Sequence, residues 1–134
     1  MRDADDYVAH VKALIVAHPL VARWTVLREE AQGDRGLFHY RLTLRDGSLL
    51  ELFELFQIED EQVRVGKYRF HWQDTAGQLR KRWDNAAHHS ELLTYPHHLH
   101  DGAEANVLPH QAVSAEQVLN VIAAIGLDAA ASPV

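Results

Sequence analysis

From Phe38 to Arg45 the chain alternates without a break, Phe38, Tyr40, Leu42 and Leu44 being apolar while His39, Arg41, Thr43 and Arg45 between them are polar. A side-chain repeat of two is the signature of a strand with one buried face, and a helix cannot present it. Asp46-Gly47 follows, a dipeptide that reverses a chain tightly enough to pair two strands. The next run, Ser48 to Ile58, has Leu49, Phe53 and Leu55 on one side and Leu50, Leu52, Phe56 and Ile58 on the other. Apolar groups on both faces predict a central strand covered on both sides.

The rest of the chain is organised around this hairpin. Residues 23–32 alternate as well, Val63 to Gln73 reads as a fourth strand, Asp74-Thr75-Ala76-Gly77 as a turn and Gln78 to Asp84 as a fifth strand. Leu92 to His100 is a candidate sixth, interrupted or held at an edge by Pro96, which has no amide hydrogen to donate. Asp3 as N-cap, acidic residues in the first turn and Val8, Val11 and Ile15 at helical spacing predict a helix over about 4–17, stopped at His18-Pro19. Ser114 with Gln117 forms a capping box, Val118, Val121, Ile122 and Ile125 form one stripe, and Gly126 is a natural end, so a second helix is expected over about 115–125. The alanine-rich tail from Asp128 to Val134 is expected to fray. The fold class is therefore α+β: an antiparallel meander of about five to six strands, over about 23–100, with an N-terminal and a C-terminal helix. At 134 residues, one domain over 1–134 is expected.

Composition removes several chemistries. With no cysteine there is no disulfide, thiolate metal site, iron-sulfur cluster or cysteine nucleophile. No apolar window reaches the roughly 18 residues of a spanning helix, and the acidic N-terminus lacks the look of an export signal, so a cytoplasmic protein without membrane contact is expected. The net charge of −6 argues against indiscriminate binding to nucleic acid. Its distribution is more informative: residues 62–83 carry six basic groups and one acidic group, whereas residues 84–134 carry six acidic groups and no basic one. Of the ten histidines, seven fall between positions 71 and 110.

If Thr75-Ala76 is a two-residue turn, Arg69 faces Arg82, His71 faces Arg80, and Tyr68 faces Trp83 on the opposite surface. Arg69, His71, Arg80 and Arg82 would then share a face that needs an anion or outside carboxylates to neutralise it, and a slip of one residue would turn every one of them over. One reading is a solvated face paired with acidic side chains. The other is a phosphate groove of arginine forks, with Trp72, Trp83 or Tyr68 stacking on a base. Tyr68, Phe70 and Trp72 are also natural core residues. Beyond the hairpin the imidazoles of His88, His89, His97, His98 and His100 can act as acid and base near neutral pH, which is what metal-free RNA cleavage requires beside a cation. The alternative metal ligands are His89, His98 and His100, although no standard metal spacing is present. No cofactor is expected.

The runs Tyr68-Arg69-Phe70-His71-Trp72-Gln73, Arg82-Trp83-Asp84-Asn85-Ala86-Ala87-His88-His89 and Tyr95-Pro96-His97-His98-Leu99-His100 resemble the TumE-type proteins of prokaryotes, small toxins of toxin-antitoxin pairs. Ala87 stands where that pattern has proline. The resemblance implies a toxin neutralised by a cognate helix-turn-helix antitoxin, with RNA as a target and a homodimer as a possible assembly. It carries over Trp83, Asp84, Asn85, His88, His89, Pro96, His97, His98 and His100. The expected enzyme is a metal-independent endoribonuclease in which Arg80 and Arg82 hold phosphate. His88 and His98 share the proton transfers, a role His97 and His100 can exchange with them, while Asp84 orients an imidazole and Asn85 donates a hydrogen bond. The alternative is a non-catalytic module whose basic hairpin and histidine loop contact a partner protein or an anionic ligand.

Overall fold

Asp3 caps the first helix, α1 (Ala4–Ala17), by accepting the Asp6 amide at 2.9 Å, and the helix ends at His18 before Pro19. Seven strands follow in the computed structural model, which describes residues 1–126. They are β1 (Val21–Gln32), β2 (Arg35–Leu44), β3 (Leu49–Glu59), β4 (Gln62–Gln73), β5 (Leu79–Asp84), β6 (His98–Asp101) and β7 (Val107–Pro109). Each pairs antiparallel with the next, so spatial order is sequence order. The closing helix α2 (Ala115–Ile125) starts on the complete Ser114/Gln117 capping box and ends at Gly126, whose φ of 84° suits a residue without Cβ.

The alternation in β2 and β3 decides where the core lies. Phe38, Tyr40, Leu42 and Leu44 from β2, Leu50, Leu52, Phe56 and Ile58 from β3, and Tyr68, Phe70 and Trp72 from β4 form one cluster. Trp83 and Leu99 join it from β5 and β6, with Tyr7, Val8, Val11 and Ile15 of α1 and Val118, Leu119 and Ile122 of α2. Both helices therefore cover the same side of the sheet, and each buried aliphatic or aromatic side chain adds about 1.5–3 kcal/mol. The opposite side is polar. Across it runs one row pairing Arg41, Glu51, His71, Arg82 and His100, and a second pairing His39, Phe53, Arg69, Asp84 and His98.

The structure is the α+β meander with terminal helices that the sequence indicates, with seven strands rather than five or six. The additional strand, β7, is three residues long and contains Pro109, too short to show a period. The expected strand over Leu92 to His100 is shorter and later: Ser90 to Pro96 turn, and pairing begins at His98. Strand β3 is central but covered on one side only, since Leu49 and Phe53 are half-buried and Leu55 is 45% exposed. The turn after β4 also differs. The Asp74 carboxylate accepts the amides of Ala76 and Gln78, each at 2.9 Å, so the reversal occupies Asp74 to Gln78. Arg69 consequently faces Asp84, His71 faces Arg82 and Phe70 faces Trp83. The parity of Arg69, His71 and Arg82 survives, but an irregularity between Trp72 and Gln73 displaces Arg80 from their row. The tail over 128–134, expected to fray, lies outside the described residues.

Candidate functional site

Strands β5 and β6 set Asp84 beside His98 and Arg82 beside His100 on the polar side of the sheet. The segment between these strands folds back over them, and His89, with a left-handed φ of 60°, brings its ring to 5.2 Å from that of His98 and 6.0 Å from that of His100. One ring nitrogen of each of the three histidines lies within 4.8 Å of the others. His98 and His100 are buried, as is Asp84, whereas His89 is partly open to solvent.

The hydrogen bonds fix how these rings are turned. His98 Nδ1 lies 2.8 Å from the Pro96 carbonyl and its Nε2 lies 2.9 Å from Asp84 Oδ1. His100 Nδ1 lies 2.8 Å from the Glu104 carbonyl, and its Nε2 is 3.7 Å from Asp84 Oδ2. A carbonyl can only accept, so each Nδ1 carries the hydrogen and each Nε2 edge points at the same carboxylate. Asp84 is held by the Ala86 amide at 3.0 Å and by Arg82 Nε at 3.3 Å. The Arg82 guanidinium is also gripped by both carboxylate oxygens of Glu104, a hydrogen-bonded pairing that holds the arginine above, and Glu104 below, their ordinary pKa.

These groups floor a pocket of about 330 Å³ whose walls include Lys67, Arg69 and His88. It adjoins a second depression, about 430 Å³, that shares Lys67 and Arg69 and adds His39, Glu51, Phe53, His71 and Gln73. His71 hydrogen-bonds Gln73 at 3.2 Å, and burial is the main reason that its pKa is lowered. Most basic side chains on this surface are committed: His39 and Arg41 to Glu51, at 2.7 and 3.6 Å, and Arg82 to Asp84 and Glu104. Lys67 and Arg69 are exposed and, among the described residues, form no ion pair.

Several residues singled out from sequence lie elsewhere. Arg80 stacks 4.0 Å over the Trp72 ring and pairs with Asp46 at 3.7 Å, away from the pocket that Arg69 and Arg82 line. Trp72 and Trp83 are 1% exposed and offer no ring face to a base, because their parity puts them in the core. The His97 ring stacks on Tyr68 and bonds its hydroxyl at 2.8 Å, which places it away from the cluster and against the helix-covered face. Asn85 spends both ends of its amide on β4, accepting from the Tyr68 amide and donating to the Gly66 carbonyl, so it extends the sheet. His88, His89, His98, His100, Asp84, Arg69 and Arg82 are brought together around one pocket. Lys67 and Glu104 were missed. For Lys67 a signal existed, its odd position beside Arg69 and His71 on β4; for Glu104, in a turn, none did.

A protein-family model described as Toxin TumE matches residues 11–125. No curated protein and no solved structure matches the chain.

Proposed function

The chain belongs to the TumE toxin family, and from that premise we propose that it acts on RNA, cleaving a phosphodiester at the histidine pocket. A toxin family implies a cognate antitoxin, which we take to be of the helix-turn-helix type. The observation that carries the reading is the pair of cations, Lys67 and Arg69, without an ion pair among the described residues, at the rim of a pocket floored by Asp84, His98 and His100. Positive charge without a partner above convergent imidazoles suits a phosphate whose reaction needs proton transfer and charge stabilisation. No helix among the described residues is long and apolar enough to cross a membrane.

The roles follow from access. Lys67 and Arg69 hold the phosphate oxygens. Exposed His88, at the pocket wall, takes the proton of the attacking 2′-hydroxyl as the new bond to phosphorus forms. The departing 5′-oxygen takes a proton from water that the open pocket admits as its bond to phosphorus breaks. His98, expected from sequence to share the proton transfers with His88, has a side chain 1% exposed and both nitrogens engaged, which favours His88 as the base.

Purified protein incubated with single-stranded RNA should yield fragments ending in 2′,3′-cyclic phosphate. His88→Ala and the double substitution Lys67→Ala/Arg69→Ala should each lower cleavage about 100-fold or more and relieve growth arrest, with the thermal midpoint unchanged. Arg80→Ala should leave cleavage at the parental level. RNA left intact by parental protein that still arrests growth would replace this reading with that of a binding module.

A further inference from the structure

We propose that His89, His98 and His100 ligate a divalent transition-metal ion of the zinc class, with the Asp84 carboxylate as the adjoining oxygen donor. The inference is independent of RNA as the target.

The argument begins with His98. Its Nδ1 faces a carbonyl at 2.8 Å and its Nε2 a carboxylate oxygen at 2.9 Å. Both partners are acceptors, so a neutral ring of either tautomer sets one nitrogen lone pair against an oxygen lone pair in a buried position. A cation at the Nε2 edge, either a proton or a metal, with the Nδ1 hydrogen on the carbonyl, removes that clash. The neighbouring rings decide between them. His100 repeats the arrangement: its Nδ1 hydrogen is spent on the Glu104 carbonyl, and its Nε2 is turned toward the other oxygen of Asp84. His89 has its Nδ1 3.5 Å from Glu91 Oε1. A protonated His98 needs one carboxylate and gains nothing from two more imidazoles gathered within 5 to 6 Å of one another, where further protonation would be repulsive. One ion satisfies all three.

The arrangement around the rings is the one metal-binding histidines use. The Nδ1 atoms of His98 and His100 are anchored to backbone carbonyls, which fixes the tautomer and aims the other nitrogen inward, while His89 Nδ1 lies 3.5 Å from Glu91. Three atoms within 4.8 Å of one another have a common point no more than about 2.8 Å from each, so closure to the roughly 2.0–2.1 Å of a zinc–imidazole bond needs a shift of under about 1 Å. The most exposed ligand, His89, sits on the loop between β5 and β6 rather than on a strand. Charge agrees as well. Arg82, paired with Asp84, is offset by Glu104, which leaves Asp84 to neutralise part of the ion's charge. Imidazole-rich sites with one carboxylate favour zinc and its neighbours over magnesium or calcium. Bound there, the ion would supply Lewis acidity toward an oxygen of a phosphate held by Lys67 and Arg69.

The test uses the full chain, stripped with chelator and titrated with Zn²⁺ or Co²⁺. Saturation at one equivalent per chain is expected, with visible absorption of a four-coordinate nitrogen-oxygen site for Co²⁺ and a rise in thermal midpoint with Zn²⁺. His89→Ala and His100→Ala should each weaken binding at least about tenfold, while His110→Ala, outside the cluster, should not. Should His100→Ala fail to fold, imidazole nitrogen shifts of the parental protein give the answer without a variant: Zn²⁺ must move the resonances of His89, His98 and His100 together. No saturable binding, binding that His89→Ala leaves unchanged, or a His98 ring that carries hydrogens on both nitrogens at one equivalent of Zn²⁺ would overturn the proposal. Zinc binding and RNA cleavage are separate readouts, and loss of either leaves the other standing.

Discussion

Glu54 places a carboxyl among Leu52, Phe56 and the other inward residues of β3, fully buried, with the Tyr7 hydroxyl donating to Oε1 at 2.6 Å. Burial pushes its pKa up to about 7, against the lowering effect of the Tyr7 hydrogen bond. Below about pH 4.5 the carboxyl is protonated in both folded and unfolded chains, and folding pays no ionisation penalty. As pH rises the unfolded chain ionises first, so stability falls until the folded group loses its proton near pH 7, a decline of order 3 kcal/mol. Urea unfolding between pH 4.5 and 8 should show it, and Glu54→Gln should remove most of this slope; an unchanged slope would assign the pH dependence to other groups. The parity of Glu54 with Leu52 and Phe56 is legible in the sequence. Its partner is not, because nothing local ties position 54 to Tyr7, 47 residues earlier. The same separation of local from non-local information runs through the site: residue type marked Asp84, His98 and His100, whereas the pairing of His98 with Asp84 joins residues on two different strands.

Elements were readable where they are long and periodic. The caps of both helices and the faces of β2, β3 and β4 follow from spacing, since a two-residue or 3.6-residue period is a local property. Short elements and registers were not. The reversal after β4 depends on one Asp74 side chain capturing two amides, and that choice moved Arg82 from Arg69 to His71 and released Arg80. Packing between strands is equally specific at Gly36, where an added Cβ would meet the Phe56 ring at 2.6 Å and the Glu30 carbonyl at 2.8 Å. Gly36→Ala should therefore cost about 1–3 kcal/mol, seen as a lower urea midpoint with an unchanged slope. A midpoint equal to the parent's would show that β1 and Phe56 can yield without cost.

At the scale of the molecule, one sheet keeps two chemistries apart: a face sealed by two helices and a polar face that carries the histidine pocket. Because Lys67 and Arg69 line that pocket and form no ion pair among the described residues, replacing both by alanine should lower the salt dependence of single-stranded RNA binding by about 1.4 in log–log slope, measured by fluorescence titration. A slope that does not change would place the RNA elsewhere. Sequence by itself determined the family, the α+β class, the strand parity and the concentration of imidazoles after β5, because residue type and short-range period are written along the chain. Only the tertiary structure decided which imidazoles meet. His97 and His98 are neighbours in sequence yet point to opposite sides of the sheet, and His89 reaches His98 and His100 through a loop whose path no local period encodes. Convergence of side chains from separate turns is a property of the packed fold, since it is fixed by contacts between residues that are remote along the chain.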